Sequence, residues 1–212
     1  MGGRGGFSGG GGFGGGGGGG GNAISTTSMI SEREGKRAEV DQALRVMRDI
    51  QDRYGVNVSD AEVAIMDARG SSTMAYYDQA GNVAINNAYF DAAKMDAAYD
   101  RCIQDGFHPS RGNKTGIEAA IAHELGHRIT DVVGEKMGLG SWELDKASST
   151  ILKQAKKSLG YDKIYNVAEK ISGYAKQSPA EAIAEAFSDV YCNGGKAKKE
   201  STAIVNVINT YF

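Results

Sequence analysis

Little in this chain is suited to cross-linking, to spanning lipid or to gripping nucleic acid. Among 212 residues there are two cysteines, two prolines, three histidines and a single tryptophan. Cys102 and Cys192 stand far apart with no CxxC or zinc-ribbon spacing, which excludes a disulfide-stapled scaffold and a cysteine-built zinc module. Two buried, reduced thiols are expected instead. No apolar run approaches the length that crosses a bilayer, and the N-terminus carries no apolar core of the secretory type. No membrane partner is expected, and the protein is expected to be cytoplasmic as synthesised. Acidic and basic residues nearly cancel, 26 against 24, so no nucleic-acid partner is expected either.

Glycine, by contrast, is in excess. Of 31 glycines a large share crowds into residues 1–21, where Arg4, Phe7, Ser8 and Phe13 are the interruptions. Such a tract has few side chains to bury and maximal backbone entropy to lose. Residues 1–24 are therefore expected to form a disordered tail or tether. A lone arginine within Gly2-Gly3-Arg4-Gly5-Gly6-Phe7 is a slender basis for RNA contact, and the charge balance disfavours it. Residues 25–212 are long enough for one well-buried domain.

Within that domain the pattern changes once. Ser31, followed by Glu32 and Glu34, resembles a helix start, and Val40, Leu44, Met47 and Ile50 or Gln51 mark a helical face ended by Gly55. Two strand-like runs follow, Val63–Met66 and Thr73–Tyr77, then a third over 83–85 after a turn at 78–82. A small sheet with a hairpin is expected. Helical composition returns over 89–104, with Phe90, Ala93, Ala97 or Ala98 and Ile103 as candidate core positions. It continues almost to the end, with breaks at Gly138-Leu139-Gly140, Gly160, Gly173, Ser178-Pro179 and Asn193-Gly194-Gly195. A last amphipathic helix carries Ala203, Ile204, Val207, Ile208 and Tyr211. The fold class expected is α+β.

One segment carries chemistry: His123-Glu124-Leu125-Gly126-His127. Two imidazoles one helical turn apart supply half of a catalytic zinc cage, and Glu124 sits where a general base would. Ile117, Ile121, Leu125 and Ile129 repeat every fourth residue as an apolar stripe, and at about 100° per residue the histidines project roughly opposite it. The plainer alternative is a surface helix whose histidines face solvent or pair with carboxylates such as Asp131.

A third ligand has to be acidic if it lies downstream, because no histidine follows His127. Glu181 and Glu185, four residues apart on one predicted helix face, are the candidates. Ser178-Pro179-Ala180-Glu181 also reads as a capping box, in which Glu181 would merely satisfy backbone amides. The residue pattern alone leaves Glu181 and Glu185 open. His108, beside Pro109 in the loop ahead of the motif, reads as a loop residue and not as a ligand.

The string Ile171-Ser172-Gly173-Tyr174-Ala175, followed by Ser178-Pro179-Ala180-Glu181-Ala182-Ile183-Ala184-Glu185-Ala186-Phe187, resembles the second motif of gluzincin peptidases related to anthrax lethal factor. The same two motifs occur in small metallopeptidase-like domains of phage head-associated proteins and bacterial mobile elements, and the glycine-rich start is more similar to those. The resemblance covers about residues 107–191. It implies a zincin-like fold in which His123, His127 and Glu181 hold one Zn²⁺, with Tyr174 pointing into the site and Glu185 one turn beyond the liganding glutamate. Glu124 would then act as general base on a zinc-activated water, and Tyr174 would donate to the developing oxyanion. Glu185 would accept from a liganding imidazole, and Asp131 would do the same for His127. By fold-level analogy, an edge of the hairpin would pair with an extended protein or peptide substrate. The recognition domains of lethal factor have no room here, so its substrate choice is not carried over. The alternative is a catalytically silent, zinc-stabilised structural or interaction module of a phage or mobile-element particle.

Overall fold

Among the described residues every strand falls within the first 86 positions. The structure is a computed structural model and describes residues 7–8, 26–29, 36–56, 63–66, 72–77, 83–140 and 143–212. Five strands are seen: β1 (Phe7–Ser8), β2 (Thr26–Met29), β3 (Val63–Met66), β4 (Thr73–Tyr77) and β5 (Val83–Asn86). They lie in the order β1-β4-β5-β3-β2. β4 and β5 form the expected antiparallel hairpin, β3 runs parallel to β5, and β1 and β2 pair antiparallel at the two edges. β5 is buried at every position, as an inner strand covered on both faces should be. Of the expected glycine-rich tail, Phe7–Ser8 is a strand paired to β4. The rest of residues 1–24, the proposed helix start at Ser31 and the turn at 78–82 lie outside the described residues.

Among the described residues seven α-helices accompany the sheet: α1 (Arg37–Tyr54), α2 (Ala92–Gln104), α3 (Gly116–Lys136), α4 (Leu144–Leu159), α5 (Ile164–Ile171), α6 (Pro179–Asn193) and α7 (Lys199–Asn209). The fold is α+β. α1 buries Val40, Ala43, Val46, Met47, Ile50 and Tyr54, and Gly55 ends it at φ 60°. Leu44 is only partly buried and Gln51 is exposed, so the inward face is centred on Val46 and Ile50. In α2 the buried residues are Met95, Ala98, Tyr99 and Cys102, spaced i, i+3, i+4, i+7. Ala93 is exposed and Ile103 half-buried, one residue out of phase with that stripe. Alanine is small enough for either face, which is why the sequence misplaced it.

α3 departs most from expectation. A capping box opens it, Thr115 Oγ1 accepting from Glu118 N–H and Glu118 Oε2 from Thr115 N–H. From Gly116 to Gly134 it is buried on every side except at Arg128, instead of only along its isoleucine stripe. It packs against α1, α2, α4, α6 and β4. A helix enclosed this completely is the centre of the domain, and its polar residues must find partners inside it. Among the described residues no helix is long and apolar enough to cross a membrane. Cys102 and Cys192 are both buried, and burial pushes the Cys192 thiol up to about 12, which keeps it protonated and inert.

Candidate metal centre

Two helices bring the polar cluster together, and a glycine sets their separation. His123 and His127 project from one face of α3, their ring centroids 5.1 Å apart and nearly perpendicular at 81°. Between them sits Gly126. A Cβ built there would lie 3.0 Å from Ala184 Cα and 3.0 Å from Phe187 Cβ, both on α6. The missing side chain is what lets α6 approach.

That approach delivers Glu181, in the first turn of α6. Its backbone N–H donates to Ser178 Oγ at 3.1 Å, with Pro179 at the first helical position. Its carboxylate turns away from the cap: Oε2 lies 3.1 Å from His123 Nε2 and 3.6 Å from His127 Nε2. Ser178 thus supplies its half of the capping box, while the Glu181 carboxylate lies in the cluster. Among the described residues His123, His127 and Glu181 form a group whose ligand-type atoms all lie within 4.8 Å of one another. All three are at most 4% exposed.

Glu185, one turn along α6, sits behind His123. Its Oε1 is 2.9 Å from His123 Nδ1, which leaves Nε2 facing Glu181. Ser172 Oγ donates to Glu185 Oε2 at 2.7 Å and accepts from Ala175 N–H at 3.0 Å, tying the carboxylate to the segment before α6. The remaining partner is one the sequence discounted. His108 is 3% exposed, and its Nδ1 lies 3.1 Å from each oxygen of Glu185. Its ring stacks on Tyr99 and meets Phe107 and Tyr174 edge-on. Beside a turn proline it looked like surface loop; its scarcity, as one of three histidines, was the available signal.

Asp131 does not take its expected role. Its Oδ2 accepts from Tyr77 Oη at 2.9 Å, while His127 Nδ1 makes no hydrogen bond among the described residues. The Tyr77 ring, at the end of β4, is stacked 6.0 Å from that of His127. Asp131 thus fixes a tyrosine that packs on the histidine. Sequence periodicity carries no sign of this contact between sheet and helix.

Tyr174 is 3% exposed, with its ring centroid 5.8 Å from that of His123. Its N–H donates to Phe107 O at 3.0 Å and the Gly173 N–H to Gly106 O at 2.8 Å. This short ladder also holds the loop that carries His108. Burial and the charges of Glu181, Glu124 and Glu185 hold the Tyr174 hydroxyl well above its ordinary value, so it stays a hydrogen-bond donor.

Within the cluster, carboxylates and imidazoles stabilise one another's charged forms. Burial disfavours charge on His123, but its hydrogen bonds to Glu181 and Glu185 outweigh this and push it up to about 10. Burial likewise opposes charge on His108, and the neighbouring Glu185 raises it to about 9. Glu181 and Glu185, despite burial, are pulled down to about 2 by the histidines they face. Glu124 is fully buried on α3, and its charge reaches both His123 and Tyr174. His127 Nε2 is buried without a hydrogen-bond partner among the described residues. Two imidazole nitrogens and one carboxylate, one of those nitrogens left over, are a donor set that fits a zinc-type cation. Comparison of the chain with protein-family models, with curated proteins and with solved structures finds no match.

Proposed function

We propose that this protein is a zinc-dependent metallopeptidase, with His123, His127 and Glu181 as the metal ligands. The observation that carries the reading is the convergence of these three buried donors, with Glu124 on the same helix as the two histidines and a protonated Tyr174 against His123. A bound zinc ion would supply Lewis acidity, polarising a carbonyl and acidifying water. Glu124 takes a proton from the attacking water and returns it to the leaving amine. Tyr174 donates a hydrogen bond to the carbonyl oxygen as negative charge develops there. Glu185, held by His108 and Ser172, keeps the His123 ring turned toward Glu181. β4, tied to α3 by Tyr77 and Asp131, is where an extended peptide would pair through its backbone, on the side that β1 covers.

Full burial of the cluster also favours a second reading, a zinc-stabilised module without turnover, of the kind that would associate with a phage or mobile-element particle. A structural site needs ligands but no general base, so Glu124 divides the two. The first test is zinc content by elemental analysis of the parent and of a His123→Ala/His127→Ala variant, followed by peptide cleavage with Glu124→Gln as control. Near one equivalent of zinc, lost in the double variant, with cleavage lost in Glu124→Gln, supports the peptidase. Zinc with no cleavage by the parent moves the assignment to the silent module.

A further inference from the structure

His108 is the one histidine outside the motif, and it is buried as deeply as the motif itself. We infer that His108 is a positioning residue for the metal centre, acting through Glu185 to hold His123 with Nε2 toward Glu181. The inference deepens the zinc reading and rests on it.

Three observations carry it. His108 Nδ1 is equidistant, at 3.1 Å, from the two oxygens of Glu185, so it straddles the carboxylate and resists its rotation. The carboxylate in turn meets His123 Nδ1 at 2.9 Å, and a ring held at Nδ1 can present only Nε2 to the cluster. His108 itself cannot swing away: Tyr99, Phe107 and Tyr174 enclose its ring, and its side chain is fully buried.

The geometry has a consequence specific to metal binding. A liganding imidazole has to present one nitrogen in one direction, and the brace from His108 through Glu185 fixes that direction for His123. Loss of His108 leaves the Glu185 carboxylate and the His123 ring freer to turn, which a metal-bound centre tolerates less well than the metal-free fold. The difference between the two states appears as lost metal affinity. A residue that merely filled space would weaken both states equally and leave affinity unchanged.

The experiment is zinc affinity by chelator competition, and the visible absorption of the cobalt-substituted protein, on the parent, His108→Ala, His108→Gln and Glu185→Gln. His108→Ala is expected to bind zinc on the order of 10- to 100-fold more weakly and to alter the cobalt spectrum. His108→Gln, which restores a neutral donor, is expected to recover part of the loss. Should His108→Ala fail to fold, Glu185→Gln in the same background replaces the carboxylate that His108 braces. That double variant is expected to match Glu185→Gln alone, because His108 acts through Glu185. Affinity within about twofold of the parent in His108→Ala, or strictly additive losses in the double variant, overturns the inference while leaving the zinc site intact. A parent that binds no metal overturns both readings, and a parent that binds metal without cleaving peptides overturns only the peptidase.

Discussion

Gly126→Ala tests whether the glycine inside the histidine motif is there for the metal or for the helix that delivers the third ligand. The added methyl would meet Ala184 Cα and Phe187 Cβ at 3.0 Å, well inside the roughly 3.5–4.0 Å of a relaxed carbon contact. Neither atom is the far end of a flexible side chain, so α6 itself has to back off by about half an ångström. Overpacking of this kind costs about 1–3 kcal/mol. Replacing glycine by alanine inside a helix returns about 1 kcal/mol. The net loss of global stability should be about 0–2 kcal/mol, which for a domain of this size moves Tm by no more than about 8 °C. Metal binding should suffer disproportionately, because Glu181 rides on α6 and ligand distances tolerate only about 0.2 Å. Urea denaturation of the metal-free protein reads the first quantity and chelator competition the second. Zinc affinity is expected to fall by about tenfold or more while the fold survives. A variant that loses stability but binds zinc as tightly as the parent would refute the claim that this glycine sets the distance from α6 to the cluster.

Further outcomes follow from the same geometry. Glu181→Ala should abolish zinc binding whereas Glu185→Ala should only weaken it; the reverse order, read by elemental analysis, would return Glu181 to its capping role alone. For the metal-free protein, His108 and His123 are raised to about 9 and about 10, so their stabilising contribution is complete below the ordinary histidine value of 6.5 and fades as pH rises through the raised values. Glu181 and Glu185, lowered to about 2, contribute fully above 4.5 and fade as pH falls toward 2. Urea midpoints should therefore peak between those limits without metal, while the increment from added zinc grows toward alkaline pH because zinc competes with the protons on its ligands; a flat metal-free profile above neutrality would contradict the charge balance. Because β1 occupies the β4 edge, deleting residues 1–24 should lower KM for an extended peptide with kcat unchanged, and equal KM values would mean that edge is not where substrate lies.

What the sequence disclosed depended on how local the governing rule was. The i, i+4 spacing of His123 and His127 and the acid beside them are features of a single helix, and the structure keeps them on one face. Helix ends at Gly55 and Gly160, both at positive φ, were legible for the same reason. The Glu181 contact joins residues 58 apart and the His108 contact residues 77 apart, and no periodicity encodes either. The first became visible only through a resemblance between motifs; the second, with Tyr77 and Asp131, was not visible at all. The enclosure of α3 was equally hidden. A stripe of isoleucines announces one buried face, whereas the buried small residues Ala119 and Ala122, and Gly126 that admits α6, look unremarkable in a sequence.

Buried charge is a poor way to stabilise a fold, and this one encloses Glu124, Glu181 and Glu185 with three histidines at its centre. Desolvation of each ion costs several kcal/mol, and well-packed apolar replacements of such clusters are often neutral or stabilising. Glu181 and Glu185 have cationic partners that offset their cost, and Glu124 contributes to the charge felt by His123. Glu124 is the one of these carboxylates to which proton transfer is assigned and no metal contact, so its replacement separates the reaction from zinc binding. In Glu124→Gln the amide keeps the volume and removes the charge. The variant should retain its zinc, stay within about 2 kcal/mol of the parent in stability, and lose peptide cleavage. Denaturant midpoints and zinc content measured on the same preparation decide it. A variant that loses both zinc and stability would make Glu124 a structural anchor of the cluster, and the case for a general base on α3 would go with it.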